Sequence, residues 1–254
     1  AQTQLTPFDQ ITGSSGTTVV TGRAVQRAAE DLRDKICQLG SEVLGVPADQ
    51  LKVSQATVLA PDGRSMPLDE LMRKAFGPSG GELMGVGSFR RTIKPGEDRT
   101  LFYEFGVGAA EVEVDLDTGA IKLLRYVAVS DVGKAINRQQ AEGQDQGGAV
   151  MGMGQALWEE LVYEDGQLLN GSLIDYRVPR ASDLPQEFES ILIENEDGPG
   201  PFGSKGAGEG GLLPVAPAIA NAVFRATGAR IHQLPLTPER VWQALQQRAM
   251  ESRG

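Results

Sequence analysis

One carboxylate, Glu209, sits in the run Gly203-Ser204-Lys205-Gly206-Ala207-Gly208-Glu209-Gly210-Gly211, where almost nothing else carries a bulky side chain. Glycine tolerates close approach of another group to the backbone, so the run suits a flat ligand with Glu209 as its acid or base. The same composition also suits a mobile glycine loop. A second small-residue stretch, Thr12-Gly13-Ser14-Ser15-Gly16-Thr17-Thr18, offers hydroxyls and free peptide N–H groups just before a helix. It reads equally as a cradle for an anion or a polar ring edge and as a helix N-cap turn. The chain has one histidine and one cysteine. That excludes a multi-imidazole metal site, a cysteine-held cluster and an internal disulfide. His232 reads as structural and Cys37 as packing on an apolar helix face, so no residue is assigned as a metal ligand.

The string Gly206-Ala207-Gly208-Glu209-Gly210-Gly211 matches the GxGxxG dinucleotide fingerprint in letters only. Such a fingerprint must follow a strand and open a helix. Here the turn-rich segment Asn195-Glu196-Asp197-Gly198-Pro199-Gly200-Pro201 precedes it, and the nucleotide reading fails on context.

These residues need a scaffold. With 254 residues and 40% hydrophobic content the chain can bury a sizeable core, as one domain or as two lobes, 1–95 and 96–254. A formal net charge of -10 argues against nucleic acid and anionic membranes as partners. No apolar run approaches the ~18 residues of a membrane span, the first residues do not resemble a signal peptide, and a cytoplasmic location is expected. The absence of an initial Met reads as an excised or processed fragment.

Apolar residues from Ala24 to Val43 recur at helical spacing, and Gly45 with Pro47 ends that helix, which begins near Thr21. Leu51 to Val58 reads as a strand, Leu68 to Phe76 as a short helix, and residues 85–100 as a loop whose Arg90 and Arg91 read as solvated surface. Glu111 to Asp117 alternates with period two; with Ala120 to Val129 it predicts a hairpin. Residues 143–157 predict a helix whose glycines 147, 148, 152 and 154 imply tight packing on another backbone or a cofactor. Leu168 to Leu173 and Glu187 to Glu194 read as strands, Asp175 to Pro179 as a polar turn. Helices are predicted around Ala218 to Ala226 and after Thr237-Pro238. Hairpins rather than strict βαβ alternation give an α+β class, helices packed on mixed or largely antiparallel sheets.

Together these motifs resemble the molybdenum hydroxylase family of xanthine dehydrogenase, aldehyde oxidase and carbon monoxide dehydrogenase, in the C-terminal part of its molybdopterin-binding subunit. The resemblance is carried, in order, by Gly143-Gln144 with Gly147-Gly148, Gly152-Met153-Gly154-Gln155-Ala156-Leu157, Asp175-Tyr176-Arg177-Val178-Pro179, Ser204-Lys205-Gly206-Ala207-Gly208-Glu209, and Leu236-Thr237-Pro238-Glu239-Arg240-Val241. With the Gly13 to Thr17 loop it runs through nearly the whole chain.

The resemblance implies two-layer lobes and a role for each matched residue. Glu209 becomes the general base that stands beside the molybdenum without ligating it and takes a proton from a hydroxyl on the metal, work that suits a carboxylate in a dry, glycine-walled site. Gln144 bonds the pterin, Gly13, Ser14, Ser15 and Thr17 surround its polar edge, and Lys205, Gly206, Ala207 and Gly208 approach the metal face. The cofactor is molybdopterin, plain or as the cytosine dinucleotide. Iron-sulfur clusters and FAD belong to partner chains or domains, as does the rest of the molybdopterin-binding subunit, which an exposed apolar face should meet. The implied reaction is oxidative hydroxylation of an aldehyde or N-heterocycle carbon, and the isolated chain should not turn over. The sequence departs from the family at Asp145-Gln146 after Gly143-Gln144 and at Arg138, where the family commonly has proline. It also lacks the family's N-terminal glycine-phenylalanine loop, its further glutamine loop and most substrate-pocket residues. A non-catalytic scaffold of the same fold is the alternative.

Overall fold

The computed structural model describes residues 4, 11–90, 96, 100 and 102–251; Arg91 lies outside them. The chain divides into two compact units, residues 17–99 and residues 1–16 with 100–254.

In the smaller unit, α1 (Thr17–Leu44) starts four residues earlier than the apolar spacing indicates, directly after the Gly13–Gly16 turn. Gly45 ends it with φ +67° and its N–H on Ser41 O, a left-handed stop that glycine takes without a Cβ penalty. The single strand expected over Leu51 to Val58 is instead a hairpin of β1 (Lys52–Ser54) and β2 (Thr57–Leu59). Gln55 and Ala56 both adopt left-handed backbone, at φ +45° and +54°, which makes the two-residue turn without the usual Asn-Gly signal. β3 (Ser65–Pro67) completes an antiparallel sheet and leads into α2 (Leu68–Phe76). The core joins Cys37 of α1 to Leu51, Val58, Met66 and Leu71. Cys37 is buried as expected, and burial raises its pKa. Gly85 and Gly87 lie on α1, where a Cβ would stand 2.1 Å from Ala28 O and Ala24 O respectively; Arg90 is exposed.

The larger unit is built on the sheet order β4-β5-β8. β4 (Gly106–Val114) and β5 (Ile121–Asp131) form the predicted hairpin, bulged between Glu111 and Val112; β8 (Glu187–Ile193) runs parallel to β5. The crossover between the parallel strands holds α3 (Arg138–Leu157), capped by Asn137 Oδ1 on the Gln140 N–H at 3.1 Å. α4 (Val215–Thr227) begins three residues earlier than expected, after Pro214, and stops at Gly228, φ +71°. Thr237 Oγ1 accepts the Arg240 N–H at 3.3 Å and caps α5 (Pro238–Glu251). Tyr126, Ala128, Ala149, Met153, Ile219, Val223 and Val241 form the core between sheet and helices. This is an α+β architecture with mixed and antiparallel sheets.

Leu168 to Leu173 is not a strand. Only β7 (Gln167–Leu168) pairs, with β6 (Tyr163–Glu164). Asn170 then takes over the backbone groups with its side chain, accepting from the Val162 N–H and donating to Glu160 O, and the chain turns at Ser172. A short polar side chain that satisfies the backbone itself replaces the ladder. His232 is exposed, in the loop between α4 and α5.

Candidate functional site

Adjacent strand residues point to opposite faces of a sheet, and at the end of β5 that alternation grips the glycine run from both sides. Asp131 turns one way. It accepts from the Gly133 N–H at 3.1 Å, Asn195 Nδ2 at 3.1 Å and Lys205 Nζ at 2.6 Å. Burial alone would raise the Asp131 pKa, but these bonds outweigh it and hold the carboxyl below its usual range. Lys205 Nζ also meets Asp197 at 2.8 Å and lies 5.8 Å from the Phe105 ring centre. Burial would lower its pKa; the hydrogen bonds to Asp131 and Asp197 outweigh that and raise it. The Lys205 side chain is therefore a buried tether for the loop, 6% exposed, rather than a free cation.

Ser130 turns the other way and donates to Asp145 on α3 at 2.5 Å; Ser190 of β8 donates to the second Asp145 oxygen at 2.6 Å. One residue earlier on α3, Gln144 Nε2 donates to Gly208 O at 2.9 Å. Between these anchors the loop packs against the N-terminal turn. A Cβ on Gly206 would stand 2.0 Å from Ser15 O and 2.4 Å from the Phe102 ring, and one on Gly208 2.5 Å from Ser15 Oγ. Ser15 Oγ accepts the Glu209 N–H at 3.2 Å. Ser14 and Ser15 both hold left-handed backbone, at φ +53° and +51°, with the Gly16 N–H closing the turn on Gly13 O. Non-glycine residues occupy that region at a cost, which surrounding contacts must hold in place.

The structure thus brings together Ser15, Gln144, Gly206, Gly208 and Glu209, with Gly13 and Ser14 next to Ser15 and Ala207 half-buried between the two glycines. Thr17 is the exposed first residue of α1. Glu209 itself is exposed, so within this chain its carboxylate does not stand in the dry pocket expected for it.

A second carboxylate escaped the sequence reading. Glu104 is half-buried below the loop, where a Cβ on Gly210 would touch its Oε1 at 2.2 Å. Burial, then the charge of Asp145, pushes its pKa up to about 7 against the pull of a hydrogen bond from the Gly210 N–H. Its aromatic flanks gave no signal of this, since Tyr103 and Phe105 are themselves exposed. Glu104, Gln144, Asp145, Ala207 and Gly210 line a narrow cleft there. A larger cleft bordered by Lys122, Arg125, Trp158 and Arg177 contains none of the converging residues; convergence, not cleft size, locates the site.

Among the described residues no three His, Cys, Asp or Glu side chains are grouped to hold a metal. The loop offers peptide groups, an amide and hydroxyls instead. That donor set fits a cofactor with a hydrogen-bonding heterocycle that brings its own metal ligands.

Residues 1–185 match the family described as the molybdopterin cofactor-binding domain. This chain belongs to that family, the molybdopterin-binding part of the molybdenum hydroxylases. It is 34% identical over 248 residues to the xanthine dehydrogenase molybdenum-binding subunit of Escherichia coli O157:H7, covering 95% of this chain and 32% of the relative. It is 32% identical over 254 residues to the 6-hydroxypseudooxynicotine dehydrogenase complex subunit gamma of Paenarthrobacter nicotinovorans, covering 97% and 31%. The solved CO dehydrogenase of Oligotropha carboxidovorans superposes with a TM-score of 0.82 at 25% identity, covering 98% of this chain and 31% of that one. The chain spans about a quarter to a third of the length of the curated relatives it matches.

Proposed function

We propose that this chain is the Glu209-bearing part of the catalytic subunit of a molybdenum hydroxylase, acting in oxidative hydroxylation of an aldehyde or N-heterocycle carbon with water as the oxygen source. The observation that carries the reading is the convergence of three sequence-distant segments on one loop: Ser15 holds the Glu209 N–H, Gln144 holds Gly208 O, and Lys205 is locked on Asp131. The result is an anchored backbone that leaves one carboxylate projecting, the requirement for a positioned general base. The names of two relatives, a xanthine dehydrogenase subunit and a 6-hydroxypseudooxynicotine dehydrogenase subunit, support a heterocyclic or carbonyl-type substrate.

Molybdopterin, when bound, would supply the oxidising metal centre and its ligation. The chain's own contribution is to orient and to move one proton. Gln144 Nε2 is committed to Gly208 O, which leaves Oε1 as an acceptor toward the pterin, and the Gly13 to Gly16 turn presents hydroxyls and peptide groups to its polar edge. Gly206 and Gly208 keep the loop close to that turn, and the Glu209 carboxylate takes a proton from the attacking water-derived group. The rest of the subunit, with iron-sulfur and flavin partners, would enclose Glu209 and carry electrons away, which a chain with a single cysteine cannot do through a cysteine-held cluster.

The test is to express the complete subunit with its partners, as wild type and as Glu209→Gln, and to measure molybdenum, pterin and any released cytosine nucleotide alongside turnover of aldehydes and N-heterocycles. Equal cofactor in both with kcat lowered at least 10²-fold in the variant, the scale of general-base loss, supports the reading. Full turnover in the variant, or no cofactor in either protein, overturns it, the second result in favour of a scaffold.

A further inference from the structure

We infer that Glu104 is a positioning residue for the Glu209 loop: its carboxyl takes the Gly210 N–H, and its protonation state sets how firmly the loop is held. The geometry is specific. Glu104 precedes β4 by two residues and shares the narrow cleft under the loop with Asp145 and Gly210, the residue directly after Glu209. Gly210 comes so close that a Cβ there would collide with Oε1, Cδ and Cγ of Glu104, at 2.2, 2.4 and 2.9 Å. No other residue type at 210 preserves that approach.

Among the described residues, the charges that act on Glu104 are acidic: Asp145 from α3, Asp131 from the end of β5, and Glu209 from the loop itself. Lys205 is committed to Asp131 and Asp197. A neutral Glu104 still accepts the Gly210 N–H through its carbonyl oxygen without adding a further negative charge. An ionised one accepts more strongly but repels Asp145 and the loop carboxylate. Burial and the Asp145 charge decide the balance, raising the Glu104 pKa from an ordinary 4.5 to about 7. Asp145 and Asp131 stay beside Glu104 when the loop opens, so opening removes only the loop's own share of the burial and the Glu209 charge, and lowers the Glu104 pKa part of the way from about 7. The loop's grip is therefore strongest at acid pH, weakens as pH rises toward 7 and levels off above it.

The role assigned to Glu104 rests on the reading of Glu209 only for its effect on turnover; the positioning itself is measured without activity. In the complete subunit, hydrogen exchange of the peptide covering residues 207–212 is followed from pH 5 to 8.5, corrected for intrinsic chemical exchange, in the wild type, Glu104→Gln and Glu104→Ala. The expected wild-type profile is a several-fold rise in loop opening up to about pH 7 and then a plateau. Glu104→Gln, which keeps an acceptor but cannot ionise, should be flat at the low-opening level, and Glu104→Ala should open fast at every pH. A flat wild-type profile, an unchanged rise in Glu104→Gln, or a Glu104→Ala loop as protected as the wild type at pH 6 overturns the inference. Retained turnover in Glu209→Gln would sink the functional reading while leaving these exchange profiles as they are.

Discussion

At the residue scale, Ser130 and Asp131 divide the work of holding one loop between two faces of a strand. Asp131→Ala would leave Lys205 in the interior with only the exposed Asp197 as partner. Because Asp197 remains, we expect a loss on the order of 2–3 kcal/mol, below the ~3–5 kcal/mol for abandoning a fully buried charge, read as a lower urea midpoint. The acid response has a definite sign. The Asp131 pKa is depressed in the fold, so its contribution is present above the unfolded value of 3.8 and is lost as pH falls through the lower folded value. Thermal melts should therefore show an acid-sensitive step below about pH 4 that Asp131→Asn removes. Gly206→Ala should displace the loop from Ser15 and Phe102, since a Cβ there meets backbone and a ring rather than a flexible tip; cofactor content of the complete subunit is the readout, and full loading would refute the loop's role in holding it. The sequence made Glu209, Gln144 and the glycines legible because their types and order are unusual. It hid Glu104 and the burial of Asp145, because neither spacing nor composition reveals that two carboxylates 41 positions apart, at 104 and 145, share one cleft.

At the element scale, α3 carries glycines for different reasons. A Cβ on Gly152 would lie 2.6 Å from Val215 Cγ2 and 2.8 Å from Leu212 O, so the helix approaches the start of α4 as only glycine permits. Gly148 lies against the backbone of Gly211 and Leu212. Gly147 faces open space, with nothing within 4 Å of a Cβ. Gly152→Ala should therefore destabilise the chain by about 1–3 kcal/mol through overpacking. Gly147→Ala should stabilise it by up to ~1 kcal/mol through helix propensity. Urea unfolding of the two variants separates them, and movement in the same direction would contradict the assignment. The glycine-rich pattern announced close packing. For Gly148 and Gly152 the close packing depended on the segment from Gly211 to Val215, far away in sequence.

At the scale of the whole molecule, the sheet of the larger unit turns Tyr126, Ala128 and Leu192 toward the helices. On its other face, the register aligns Glu111, Arg125 and Glu187 at one end and Val107, Val129 and Ile191 at the other. Phe105, Val107, Ile191 and Ile193 leave that second end both apolar and exposed, and patches of this kind mark association surfaces. For a chain spanning about a third of its relatives, the expected occupant is the rest of the same subunit. Hydrogen exchange of peptides around 105–109 and 190–193 should be slower in the complete subunit than in this chain alone; equal exchange in the two would contradict that expectation.

The sequence by itself determined the main helices, the hairpin of β4 and β5 and the α+β class, and singled out the glycine loop, because helical spacing, strand alternation, caps and turn residues are local and act within a few positions. It misjudged Leu51 to Val58 and Leu168 to Leu173, where Gln55, Ala56 and Asn170 form turns that apolar patterning does not announce. The tertiary structure alone decided that Ser15, Glu104, Gln144, Asp145 and Lys205 meet around Glu209, that Lys205 is a tether, and that Glu104 is pressed against Gly210. Those facts depend on contacts between residues tens to nearly two hundred positions apart, and on a pKa set by burial beside another charge, quantities that exist only once the chain has folded.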